Sequence, residues 1–225
     1  MPTLRKSIQR NGFILGAFAV IATSLIIGVQ LLTADRIAEQ QRNDLLRTLN
    51  TLIPPAMHDN DLYADCTTVS APDILGLAQQ PVYRARLDGE PTGLAIRTTA
   101  PDGYSGQIHM LVALNPTGTV KGVRVLQHRE TPGLGDKIEI ARDDWILSFD
   151  GQRMRSETDA RWAVRRDGGM FDQFTGATIT PRAVVNAVSR TVWYAQNNTE
   201  ELFAAPADCY GQIEPVTVMN PEETG

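Results

Sequence analysis

The stretch Ile108-His-Met-Leu-Val-Ala-Leu-Asn-Pro-Thr-Gly-Thr-Val-Lys-Gly-Val-Arg-Val125 reads as two strands and the turn between them. Ile108, Met110, Val112 and Leu114 alternate with His109, Leu111 and Ala113, the period-two pattern of a strand. Asn115-Pro-Thr-Gly118 supplies turn chemistry, and Val120, Val123 and Val125 lie on the return. Upstream, Tyr83, Ala85 and Leu87 alternate with Arg84 and Arg86. Asp88-Gly89 then signals a tight turn, and Leu94 to Thr98 reads as the returning strand. Consecutive hairpins without a series of strand–helix–strand crossovers predict an α+β fold, a curved antiparallel sheet with packed helices, and argue against a Rossmann fold. The chain has no internal repeat and no low-complexity segment.

The bulk numbers narrow the function classes. Hydrophobic residues at 42% and charged residues at 21% are ordinary for a chain that buries a core. A formal net charge of −5 argues against nucleic acid as a partner, because phosphate recognition needs a basic face. Two cysteines, Cys66 and Cys209, exclude a four-cysteine zinc site or an iron–sulfur cluster ligated wholly by this chain. Outside the cytoplasm the two could pair as a disulfide; two separate buried thiols are the alternative.

Gly12 to Leu32, GFILGAFAVIATSLIIGVQLL, contains no charge. At about 1.5 Å per residue its roughly 21 residues span about 30 Å, the thickness of a bilayer's hydrocarbon core. A cleaved signal peptide would have a shorter apolar run and a small-x-small cleavage site. The run is therefore expected to be an uncleaved transmembrane helix. Arg5, Lys6 and Arg10 flank it on one side, and Arg36, Arg42 and Arg47, mixed with Asp35, Glu39 and Asp44, on the other, so the basic counts nearly balance. The shortness of the N-terminal stub, and a long C-terminal part that can be translocated whatever its charge, tip the expectation to a cytoplasmic N-terminus with the rest outside. Beyond it a polar helix carries Leu45, Leu46, Leu49 and Leu52, expected to pack on the core, and Pro54-Pro55 stops it. The expected organisation is a cytoplasmic stub over 1–11, the span over 12–32, a helical neck over 33–55, a folded domain over 56–205 and a loose acidic tail over 206–225.

Phe171-Asp-Gln-Phe-Thr-Gly-Ala-Thr-Ile-Thr-Pro-Arg-Ala-Val-Val185 is the most informative stretch for chemistry. It reads as a turn feeding a helix, with Thr180 as N-cap and Pro181 in the first helical position. Val185, Val188 and Val192 recur at helical spacing and give that helix a buried face. Gly176 and Ala177 leave room for a bulky group against the backbone. Thr178 stands just before the helix, where free N–H groups and the helix dipole favour an anion. Asp172 would hold a metal ion or orient the hydroxyl. On residue types alone, a capped turn without a ligand explains the same letters.

Asp172-x-x-Thr175-Gly176-Ala177-Thr178-x-Thr180 resembles the flavinylation motif of the FMN-binding domain family. Glu130-Thr131-Pro-Gly133-Leu134-Gly135, followed by Lys137-Ile138, resembles the glycine-rich loop that this family places upstream. Gly103-Tyr-Ser-Gly106, Trp145 and Phe149 also match. The likeness runs from about Gly103 to Trp193, plus the anchor. It implies that Thr178 carries FMN covalently through the phosphate, installed by a magnesium-requiring flavin transferase. It further implies that Thr175, Gly176, Ala177, Thr180 and Asp172 surround the cofactor. Loop residues Glu130, Thr131, Gly133, Leu134 and Gly135 are expected to approach its ring. Trp145 and Tyr104 are candidates for stacking on that ring or for the core.

Within the family, one span, a short neck and one flavin domain resemble the G subunit of the Rnf/Rsx ion-translocating electron transport complex. The C subunit of the sodium-translocating NADH:quinone reductase is the alternative, and a flavin-free anchored interaction module or an extracytoplasmic ligand sensor are others. The resemblance implies the other subunits of the Rnf/Rsx complex as partners and an inner-membrane, single-pass chain with a periplasmic flavin domain. The complex would pass electrons between ferredoxin and NAD while moving ions, or keep a redox-sensing regulator reduced. No nucleophile–base triad, phosphate-binding Walker loop or paired acid and base is evident, so the chain is expected to relay electrons and convert no metabolite itself, with no catalytic residue and no metal site of its own. His58, His109 and His128 lack metal-ligand spacing, and Asn197-Asn-Thr199 matches a glycosylation sequon, which in the bacterial protein that the resemblance implies would be a chance match.

Overall fold

A computed structural model describes the backbone over residues 2–209 and side chains from residue 8 onward. The expected tail over 206–225 therefore lies mostly outside the described residues. The chain divides between Leu45 and Leu46 into two compact units.

The first unit is helical over its described residues. Helix α1 (Pro2–Leu52) runs without a break, through Gly12, Gly16 and Gly28, where an added Cβ would meet nothing. Its central side chains are bare: Phe13 is 79% exposed and Leu32 83%. An 18-residue window has a mean hydropathy of 2.3. A helix this long and this apolar on all sides meets the requirement for crossing a membrane. Farther along, Gln40 donates to Asp44 at 3.0 Å, a side-chain pair one turn apart on a polar surface.

The second unit holds a five-stranded antiparallel sheet in the order β1-β2-β3-β4-β5, with β1 Cys66–Val69, β2 Gln80–Leu87, β3 Glu90–Gly103, β4 Gly106–Leu114 and β5 Val120–Gln127. Asp88 and Gly89 take φ of 53° and 82°, the backbone of a two-residue hairpin turn. In the β4–β5 turn, Asn115 Oδ1 accepts from the backbone N–H of Thr117 and of Thr119. Register shifts interrupt β2–β3, β3–β4 and β4–β5, and such bulges bend a sheet. Strand β1 and the single-turn helix α2 (Pro72–Leu75) were not expected from the sequence; both are four residues long, too short for a period to register.

Both faces of the sheet are buried, which is why Ile108 through Leu114 are buried without alternation. One face presents Val82, Leu94, Ile96, Met110 and Val112 to helix α3 (Ile179–Ala204), whose Val184, Val185, Val188 and Val192 are fully buried. The other presents Ala85, Ala95, Leu111 and Ala113. Leu49, Leu52 and Ile53 are buried too, and Leu52 comes so close to Gly122 of β5 that a Cβ there would lie 2.6 Å from its Cδ2. The expected leucine face is thus part of this unit's core.

The end of α3 is held by β2. Arg84, 3% exposed, donates to the carbonyls of Leu202 and Ala205, and Arg86 donates to that of Phe203 at 2.7 Å. Asp65 pairs with both, at 2.6 and 3.1 Å. Cations at the C-terminal carbonyls of a helix also meet the negative end of its dipole. Beyond α3, Cys209 is disulfide-bonded to Cys66, closing a separation of 143 residues and tying edge strand β1 to the segment after the helix. Asp208 adds a bond from the Thr68 N–H at 2.7 Å.

Closing so long a loop stabilises by about 2–5 kcal/mol in measured cases. Cys66→Ser is expected to lower the melting temperature of the detergent-solubilised chain, and dithiothreitol to lower the wild type's but not the variant's. Equal melting of wild type with and without reductant would contradict a stabilising bond.

Candidate functional site

The start of α3 lies beside the glycine loop. Thr178 occupies the N-cap position, with Ile179 the first helical residue, so the helix begins two residues earlier than expected from Thr180 and Pro181. Two threonines of the same capping chemistry flank the boundary, and packing decides between them. Thr180 is 1% exposed and its hydroxyl donates to Glu130 Oε2, so it is committed to the loop and does not cap. Pro181, within the first turn, has no N–H to lose there. The hydroxyl of Thr178 makes no capping bond, and Thr178 is only half-buried. Thr175 is exposed, and Gly176 adopts φ of +82°, a left-handed conformation that glycine takes without strain.

Glu130, 4% exposed, joins three segments. Its Oε1 accepts from the Ser105 N–H at 3.0 Å in the β3–β4 turn, and its Oε2 accepts from Thr180. Its own N–H donates to His128 Nδ1 at 2.9 Å, and His128 Nε2 lies 2.7 Å from Glu139 Oε1, which places the ring proton on Nε2. His128, expected from the sequence to have no chemical role, therefore braces the loop. The loop folds tightly, with the N–H groups of Leu134 and Gly135 both donating to the Thr131 carbonyl, and Gly133 at φ of +77°. Gly135 has no room for a side chain: a Cβ would lie 2.9 Å from both Cβ and Oε2 of Glu130. Leu134 reaches toward the motif, its Cδ2 3.7 Å from where a Cβ on Gly176 would stand.

The structure thus brings Glu130, Leu134, Gly135, Gly176 and Thr180 into one assembly at the helix start. The Thr180 hydroxyl is committed to Glu130, whose carboxylate is shared between Thr180 and Ser105. Thr131 contributes its carbonyl, and its side chain is exposed. Asp172 lies on the surface with its carboxylate 3.0 Å from Arg165 Nε. Among the described residues, no cluster of three or more His, Cys, Asp or Glu is arranged to hold a metal.

Trp145 does not offer its face to a ring. It is 7% exposed, packs edge-on against Phe149 and Phe174, and donates Nε1–H to the Asp172 carbonyl at 2.8 Å. Together with Trp162 and Phe171 these aromatics form the floor under the motif. Tyr104, in contrast, is 68% exposed. Leu134 and Ile179 are 44% and 46% exposed, so three large apolar side chains stand in water on segments joined by Glu130. Ile179 was missed in the sequence because its position reads equally as core.

The charges nearby are paired. Arg182, in the second turn of α3, donates to both oxygens of Asp167 at 2.7 and 2.9 Å and holds that carboxyl below its usual range.

The chain matches the FMN-binding domain family over residues 103–192 and the RnfG N-terminal region over residues 1–52. It is 49% identical to the G subunit of the ion-translocating oxidoreductase complex of Shewanella loihica, over 94% of this chain and 100% of the relative. The protein of the same name from Vibrio cholerae is 49% identical over 92% of this chain and 99% of its own length. This chain belongs to the G-subunit family of ion-translocating oxidoreductase complexes. The alternative likeness to the sodium-translocating reductase is thereby superseded, since both ends of the chain match relatives of the G-subunit family. The domain match begins at Gly103, ahead of the Glu130 contact to Ser105, so all three segments joined by that carboxylate belong to it.

Gly135→Ala is expected to destabilise the domain by about 1–3 kcal/mol, because overpacking pushes on a buried hydrogen-bonded carboxylate. Gly133→Ala meets no neighbour and is expected to cost about 1–2 kcal/mol from its left-handed backbone alone. Urea unfolding of the two variants checks the order; a harmless Gly135→Ala would contradict the packing described.

Proposed function

We propose that this chain is a single-pass membrane subunit of an ion-translocating oxidoreductase complex that carries FMN esterified through its phosphate to Thr178. The observation that carries this reading is the different state of the motif's three hydroxyls. Thr180 is buried and bonded to Glu130, and Thr175 is exposed ahead of the Gly176 turn. Thr178 alone of the three combines a hydroxyl that makes no capping bond with a position at the helix start.

The residues fit the group. The backbone N–H groups of Ile179 and Thr180 lack intrahelical acceptors, as in any first turn, and would receive the phosphate oxygens. Leu134, Ile179 and Tyr104 would give the ring an apolar surface, and the glycine loop leaves room for it. Bound FMN supplies one- and two-electron transfer. This chain's part is to position and retain it: an ester prevents dissociation and keeps the cofactor at high local concentration near neighbouring subunits. Asp172 would serve the transferase reaction, orienting the hydroxyl or a divalent cation once Arg165 moves aside.

The basic residues Arg5, Lys6 and Arg10 ahead of the apolar run support a cytoplasmic stub over 1–11, a span over 12–32 and a periplasmic domain over 56–205 in the inner membrane. The Cys66–Cys209 disulfide supports the same side for the domain, since such bonds persist in oxidising compartments.

Coexpressed with a flavin transferase of its family, the wild-type chain is expected to gain the mass of an FMN phosphoryl adduct and to fluoresce in a denaturing gel. Thr178→Ser is expected to keep the adduct, and Thr178→Val to lose it while remaining folded. An adduct on Thr178→Val would move the attachment elsewhere.

Orientation is checked separately in whole cells. A cysteine placed at Ser156, in an exposed loop, is expected to react with a membrane-impermeant maleimide once the outer membrane is permeabilised. Labelling only after the inner membrane is lysed would reverse the topology.

A further inference from the structure

We infer that Glu130 is a positioning residue of the flavin site: its buried carboxylate locks the glycine loop to the first turn of α3 and so sets how tightly a nucleotide on Thr178 is held. This inference rests on the proposed attachment of FMN, but its structural half does not.

The contacts of Glu130 are disposed around the site and not through the core. Ser105, which donates to one oxygen, is next to Tyr104; Thr180, which donates to the other, is next to Ile179; and Leu134 is on the loop that Glu130 begins. One carboxylate therefore aligns all three exposed apolar side chains proposed to meet the ring. The space is reserved for it: a Cβ on Gly103 would lie 3.0 Å from Oε1, and one on Gly135 would meet Oε2. A carboxylate suits the place because two acceptor oxygens face two donors, and hydrogen bonds to a charged acceptor are the stronger kind. Glutamine keeps an oxygen for the Ser105 N–H. Its amide faces the Thr180 hydroxyl, which can rotate and accept, so the shape survives with weaker bonds.

The test uses the full chain in detergent, with Glu130→Gln, Glu130→Ala and the near-isosteric Thr180→Val, which removes one bond and is the variant most able to fold. Without flavin, amide exchange at Leu134 and Gly135 is expected to accelerate about ten-fold or more in Thr180→Val and Glu130→Ala, while β4 amides stay as in wild type. With FMN attached, as measured by mass, the flavin's fluorescence anisotropy is expected to fall in Thr180→Val and to be largely kept in Glu130→Gln. Unchanged loop exchange in folded Thr180→Val, or exchange rising equally across the sheet, would overturn the positioning role. So would unchanged anisotropy in a fully loaded Thr180→Val. A wild-type chain without FMN would overturn the attachment reading, and the exchange comparison, which needs no flavin, still decides Glu130.

Discussion

A helix can hold its first turn open for chemistry when the rest of it is pinned, and α3 is pinned along its length. Its valine face is fully buried against the sheet, its last carbonyls are held by Arg84 and Arg86, and its first turn is bonded to Glu130. Each buried valine contributes about 1.5–3 kcal/mol relative to exposure, so the apolar contact fixes the axis and the polar contacts fix the ends. Everything at the site follows from where that axis puts residue 178.

Two of these polar contacts are built alike. Asp65 sits between two arginines that in turn satisfy helix carbonyls, and Glu130 sits between two donors from separate segments. Arg84 and Glu130 are buried while Asp65 and Arg86 are only partly so; a buried charge is tolerated only with partners, and removing a partner leaves its desolvation uncompensated. The result is a rigid frame around a small patch that is left polar at the backbone and apolar at the side chains. Such a patch suits a cofactor with an anionic end and a flat ring end.

Much of this was legible in the chain. Asp88-Gly89 announced its turn, the run from Ile108 to Val125 its hairpin, and the segment from Pro181 to Val192 a helix with a valine face. What escaped did so for physical reasons. The helix boundary fell on Thr178 because Thr180 was claimed by a residue 50 positions away, which no local pattern records. Arg84 and Arg86 were legible only as the residues that alternate with Tyr83, Ala85 and Leu87, yet they bond the helix end, because carbonyls there need donors. Trp145 was open in sequence between stacking and core, and the fold puts it in the core, its indole N–H taken by the Asp172 carbonyl. The cysteine pair was undecided in sequence and is bonded in the fold, since β1 and the segment after α3 meet at the sheet edge.

The chemistry of one hydroxyl decides whether this frame holds a flavin. The measurement that reaches it most directly is tandem mass spectrometry of peptides from the natively matured protein. The expected spectrum places an FMN phosphoryl increment on Thr178, within the peptide that also contains Thr175 and Thr180, with both of those unmodified. The increment on either neighbour, or its absence from this peptide in a protein made beside an active transferase, would contradict it.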